Sequence, residues 1–272
     1  MTPRLTGRLR ALARTVALAA AFAYAQQAPA HAGTNCEPKP LDPATIRQGM
    51  DIAAKVYHTL DTSDAEVALI ARVGQDLGKY GLRYSHMAYV WRDHPKGRWL
   101  VVHELNQCGT AQSTLFDEGL GNFFLDDMFA YEALVVVPGK DEQRKLAQML
   151  AARSGLHMHE PRYNMLAYAF ATQYQNSNQW VLETYAAAVS DKPDSTRAQA
   201  QAWLKWAGYA PVTVQIDAPT RLGARMFKAN VAFDDHPFGR RMAGQIDTMT
   251  VESIRRFIHA RDPAARDFIV NL

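Results

Sequence analysis

The sequence predicts an α+β fold, a small antiparallel sheet packed on helices. Three observations predict it. Two β-type runs, Tyr84–Trp91 and Trp99–Leu105, flank the turn-like Arg92–Arg98, which is broken by Pro95 and Gly97. A third run, Ala133–Val137, is wholly apolar and stops at Pro138-Gly139. Residues Asn178–Val189 carry a helical pattern with Val181, Tyr185 and Ala188 on one stripe, and this helix is expected to lie against the sheet.

Taken in order, Met1–Ala32 has an arginine-rich start, an apolar run Val16–Ala25 and a small-x-small site at Ala30-His31-Ala32. That is the pattern of a secretory signal peptide, too short in its apolar part to span a membrane. Residues 33–272 are then expected to form a single α+β domain with a C-terminal helical extension, periplasmic or secreted. Asp42–Leu60 reads as a helix with Pro43 in its first turn and Ile46, Met50, Ala53, Ala54 and Tyr57 on its apolar face. Glu66–Val73 is β-branched-rich, which favours a strand over a helix. Gly74–Gly81 reads as a loop with a helical turn, and Phe116–Phe129 as a long structured loop.

If the loop between the paired strands is centred on Pro95, paired residue numbers sum to 190. Trp91 then faces Trp99, and His86 faces Glu104, with Cβ atoms about 5 Å apart on one sheet face. A one-residue slip would break that pair. Further on, Lys140–Arg153 is amphipathic, His157 and His159 lie in a loop, and Ser195–Ala207 is a helix with Trp203 and Trp206 on its apolar side. Val212–Ile216 and Gly244–Thr248 read as strands, Thr220–Lys228 as a helix and Asp234–Pro237 as a turn, and Thr250 caps a last helix running to His259.

A hydrophobic content of 48% describes a folded chain with a sizeable core. The formal charge of +3 is misleading, because four of the 30 basic residues (Arg4, Arg8, Arg10 and Arg14) lie in the leader and no acid does. The remainder holds 26 basic and 27 acidic residues, a net −1, with no basic patch of the kind nucleic acid requires. Two cysteines in an oxidising compartment favour a Cys36–Cys108 disulfide, with a free catalytic Cys108 as the rival. His157 and His159 tempt a metal reading, but spacing places no third ligand, so a solvated loop is favoured and no metal or cofactor is implied.

The chemistry-bearing set is Ser177 at a loop-to-helix junction, His86 on a strand and Glu104 across from it. Together they make a nucleophile, a base and the group that orients the base. Asn178 and Gln179, with the backbone N–H groups of the helix start, are placed to form an oxyanion hole. The bland reading explains the same residues as an N-cap serine and a hydrogen-bonded histidine with its partner.

Ser85–Val90 followed by Val101–Leu105 resembles the histidine and acidic strands of the permuted NlpC-type, papain-like hydrolases, with Asn176–Val181 in the nucleophile slot. The mature chain also resembles a secreted bacterial family, domain of unknown function 2145, through Gln175–Glu183, Phe123–Asp127 with Tyr131–Ala133, and Ala232–Pro237. The first resemblance implies a papain-like fold and an amidase or peptidase acting on a cell-envelope substrate such as a peptidoglycan peptide. Serine stands where that group has cysteine, and a hydroxyl cannot be held as an anion by a helix terminus and an imidazolium. Ser177 would need His86 as a true general base. The alternative is an inactive module that keeps the groove to bind an envelope peptide or a partner protein.

Overall fold

The computed structural model describes residues 40–126 and 128–272. The expected signal peptide, Cys36 and Asp127 lie outside the described residues. Helix α1 (Pro43–Asp61) begins as the sequence predicts, with Asp42 accepting from the Ala44 and Thr45 N–H groups and Pro43 in the first turn. Its buried face is not the predicted one. Gly49, Ile52, Ala53, Val56 and Leu60 face inward, while Ile46, Met50 and Tyr57 are largely exposed. The stripe is rotated because Gly49 meets Phe124 and Leu125 so closely that a Cβ there would fall 2.7 Å from the Leu125 side chain.

Strands β1 (Val67–Val73), β2 (His86–Trp91), β3 (Leu100–Asn106), β4 (Ser113–Glu118), β5 (Ala130–Val137) and β8 (Arg266–Asn271) form one antiparallel sheet in the order β4-β3-β2-β1-β5-β8. The central strand β1 is buried along its whole length, as its continuous apolar run requires of a strand covered on both faces. Two elements occupy the predicted loop Phe116–Phe129: the end of β4, and α2 (Leu120–Leu125). The chain returns to the sheet after its last helix, as β8 beside β5.

Each face of the sheet carries its own core. On one face, α1 and α2 bring Ile52, Val56, Phe123 and Phe124 against Ile70, Ala88, Val90 and Val101. On the other lie α3 (Lys140–Ala151), α4 (Ser177–Val189), α5 (Arg197–Trp206) and α8 (Val251–Arg261). These bring Leu146, Trp180, Tyr185, Leu204 and Phe257 against Leu69, Met87, Tyr89 and Leu134. Helix α4 is buried on nearly every side, and Tyr89 donates to the Val181 carbonyl at 2.6 Å. Trp206 was expected on an apolar face but is 80% exposed at the end of α5. A two-stranded ribbon, β6 (Val212–Gln215) with β7 (Gln245–Thr248), stands apart and carries α6 (Ala218–Phe227) and α7 (Phe238–Met242). No helix among the described residues is long and apolar enough to cross a membrane.

Candidate functional site

Register decides the site. Strands β2 and β3 pair as Tyr89↔Val102, Val90↔Val101 and Trp91↔Leu100, one residue away from the predicted alignment. The cause is Trp99. Its backbone takes φ +56°, in the left-handed region, so it belongs to the loop and does not oppose Trp91. Its indole crosses to the α1 side, where Nε1 donates to Asp61 at 3.1 Å.

Side chains alternate along a strand, so this slip divides the proposed triad between two faces. His86 and His103 point toward α1 and α2. Their rings meet with His86 Nε2 2.9 Å from His103 Nδ1, and both pack on Phe123. Glu118 Oε1 lies 3.1 Å from His103 Nε2. Arg72 sits beside His86, bonded to the Phe123 carbonyl and Asp126. Burial, then the Arg72 and His103 charges, hold the His86 imidazole well below its usual range, so it is neutral.

Glu104 points the other way, opposite Leu115 and into the α4 side of the sheet. It is completely buried, and neither carboxyl oxygen has a hydrogen-bond partner among the described residues. Burial pushes this carboxyl up to about 8, against the pull of the nearby Ser113 hydroxyl and Arg197 guanidinium. Ser113 is itself bonded to His159 Nε2 at 2.9 Å. Burial also pushes the neighbouring Tyr163 phenol up to about 12, and Ser177 beside it works in the opposite direction. Ser177 and Glu104 thus share one buried neighbourhood, and His86 is not in it.

Helix geometry changes the other roles as well. Asn176, not Ser177, is the N-cap, accepting from the Gln179 N–H at 2.8 Å. Ser177 is the first helical residue and only 6% exposed. The two oxyanion candidates are committed elsewhere. Asn178 accepts from the Met87 N–H of β2 at 2.9 Å, and Gln179 is buried and donates to Glu183 at 3.1 Å. His157 and His159 diverge, to the Ser195 carbonyl and to Ser113. Cys108 lies in the exposed turn between β3 and β4. No cysteine among the described residues is free, which sets aside Cys108 as a thiol nucleophile. The proposed partner Cys36 lies outside the described residues.

A pocket of about 440 Å³ opens on the same side of the sheet as Ser177, beyond the Glu104–Leu115 pair. Trp91, Val102, Leu115 and Trp180 line it from the sheet and α4, and Leu150 and Leu156 from the end of α3 and the turn after it. Its polar rim is His94, Lys96, Asp117 and Arg153. Lys96 is neutralised by Asp117 at 2.7 Å, and His94 lies 3.6 Å from the same carboxylate. Arg153 makes no ion pair among the described residues. Its backbone sits at φ +56°, where glycine is at ease and an arginine is strained, yet an arginine stands there with its side chain at the pocket mouth.

The sequence reading missed Arg153, Glu118 and Ser113. Two of these belong to β4, whose residues from Phe116 onward read as loop. The signal available was the β-type run Thr114-Leu115-Phe116 after a turn.

The model of an uncharacterized protein family conserved in bacteria, DUF2145, matches residues 59–258. The chain belongs to this family. No curated protein and no solved structure matches it. The matched DUF2145 region runs from the end of α1 to α8, so it contains the strands of both histidines, the α4 helix and every residue of the pocket.

Proposed function

We propose that this DUF2145 protein is a non-catalytic binding module of the cell envelope. Its ligand is a short peptide with an apolar side chain and a free carboxylate. The observation that carries this reading is the pocket: an apolar chamber with two indoles in its wall and, at its rim, Arg153, a cation with no ion pair among the described residues. Ligand sites are commonly built this way, mostly apolar with a few placed polar groups. A backbone strain kept at Arg153 supports a role for its guanidinium. The periplasmic or secreted location expected from Met1–Ala32 makes a peptidoglycan-type peptide the ligand class of choice. A helix laid on an antiparallel sheet is compatible with the papain-like likeness, taken here as a scaffold whose reaction is absent.

The hydrolase alternative would rest on Ser177, Tyr163 and Glu104, with His159 the histidine on that side of the sheet and its Nε2 taken by Ser113 at 2.9 Å. A serine needs a base to become a nucleophile. A carboxyl held protonated near neutrality is an acid, and His86 lies beyond the sheet. The test is a titration of the purified protein with stem-peptide fragments, read by tryptophan emission and calorimetry. Saturable binding is expected, weakened about tenfold by Arg153→Gly and by amidation of the peptide carboxylate, as loss of one charge-assisted contact implies. Arg153→Gly leaves the melting temperature unchanged or raises it, because glycine relieves the strained backbone. Turnover of the peptide, or no binding by any fragment, contradicts the proposal.

A further inference from the structure

Helix α6 has no buried residue, which is unusual for an amphipathic helix in a folded chain. Leu222 and Met226 lie one turn apart on one stripe, each 63% exposed, and Phe227 at the helix end is equally exposed. Helix α7 adds Phe238 and Met242, at 70% and 62%. The two helices leave the same edge of the ribbon. The Ile216 N–H just before α6 donates to the Gly244 carbonyl just after α7 at 2.9 Å, and Arg221 reaches the Ile216 carbonyl. Gly244 itself is at φ +75°, and a Cβ there would fall 2.9 Å from the Ile216 oxygen, so glycine is required at this joint.

Charge says what this face meets. No acid occurs from Ala218 to Phe233, while Arg221, Arg225 and Lys228 do; the flanking Asp217 and Asp234 lie within electrostatic reach of Arg221 and Arg225, and Lys228 has no such neighbour among the described residues. Arg225 and Lys228 make no ion pair among the described residues, and Arg241 lies over the Phe238 ring at 5.7 Å. We infer that α6 and α7 form a docking surface for the anionic phospholipid surface of a membrane. The apolar side chains enter the interface and the cations face the headgroups. A second copy of the chain fits less well, since face-to-face pairing would bring the unpaired cations together. This inference concerns a different surface from the peptide pocket and stands independently of it.

Co-sedimentation of the purified protein with vesicles of phosphatidylglycerol and phosphatidylcholine, against vesicles of phosphatidylcholine alone, tests it. Binding to the anionic vesicles is expected, falling as salt rises. Leu222→Gln with Met226→Gln, and separately Arg225→Gln with Lys228→Gln, should each weaken binding by about tenfold or more while the melting temperature holds. Four results overturn the inference: no sedimentation with anionic vesicles, equal sedimentation with neutral ones, binding unchanged in both double variants, or a dimer in light scattering that Leu222→Gln with Met226→Gln dissociates.

Discussion

Glu104 is a fully buried carboxyl whose proton affinity is raised by desolvation. A carboxyl with no hydrogen-bond partner among the described residues, inside the α4 side of the sheet, is stable only as the neutral acid. Its folded-state value is raised from 4.5 to about 8. The folded chain therefore holds a proton that the unfolded chain gives up. The associated stability is fully present below about pH 4.5 and is lost as pH rises through about 8. Glu104→Gln removes this dependence. Urea denaturation should find the variant more stable than the parent at pH 8.5 by about 3 kcal/mol, with a difference under about 1 kcal/mol at pH 5. Equal differences at both pH values would place the Glu104 carboxylate in a solvated or paired setting. The sequence marked Glu104 as important but mistook its partner. A residue's type is legible without coordinates, whereas the face it points to depends on a register set by Trp99. The N-cap shows the same limit: Asn176 and Ser177 are both capping types, and only the backbone at 176, extended at ψ 164°, says which one caps.

At the scale of elements, α4 is held by a buried polar cluster as well as by apolar packing. The Glu183 carboxylate accepts from Gln175, Gln179, Arg197 and Gln201. Arg197 at the start of α5 also donates to the Thr172 and Tyr174 carbonyls at 2.9 Å, and Gln175 accepts from the Glu160 N–H. One carboxylate therefore ties α4, α5 and the loop ahead of α4 together. Glu183→Ala strands a buried guanidinium and should cost about 3–5 kcal/mol in denaturant unfolding. A loss under about 1 kcal/mol would mean the cluster is solvated. Strands with one dominant pattern were readable: β1, β2, β5 and the α4 helix lie where composition put them. The α1 boundaries were readable from Asp42 and Pro43, yet its buried face was not, because Gly49 carries no hydrophobic signal and is buried by close backbone approach to Phe124. Strand β4 was obscured by its edge position, which leaves Phe116 exposed and lets charged Asp117 and Glu118 end the strand.

The whole molecule is a sheet with a different chemistry on each side. On the α1 side, buried Arg72 and His103 and partly buried His86 and Glu118 make a polar cluster. On the α4 side, Ser177, Tyr163 and Glu104 share a buried neighbourhood, and an apolar pocket on the same side has at its rim Arg153, which makes no ion pair among the described residues. A third region, the ribbon with α6 and α7, presents exposed apolar side chains among cations. Because the sheet stands between His86 and the hydroxyl, Ser177 stays an ordinary alcohol. The most direct measurement is treatment of the purified protein with a fluorophosphonate probe at pH 7 to 8, read by intact mass and peptide mapping. No adduct at Ser177 is predicted, with parent and Ser177→Ala indistinguishable. A stoichiometric adduct mapped to Ser177, lost in Ser177→Ala and in His86→Ala, would contradict the separation of His86 from Ser177 by the sheet.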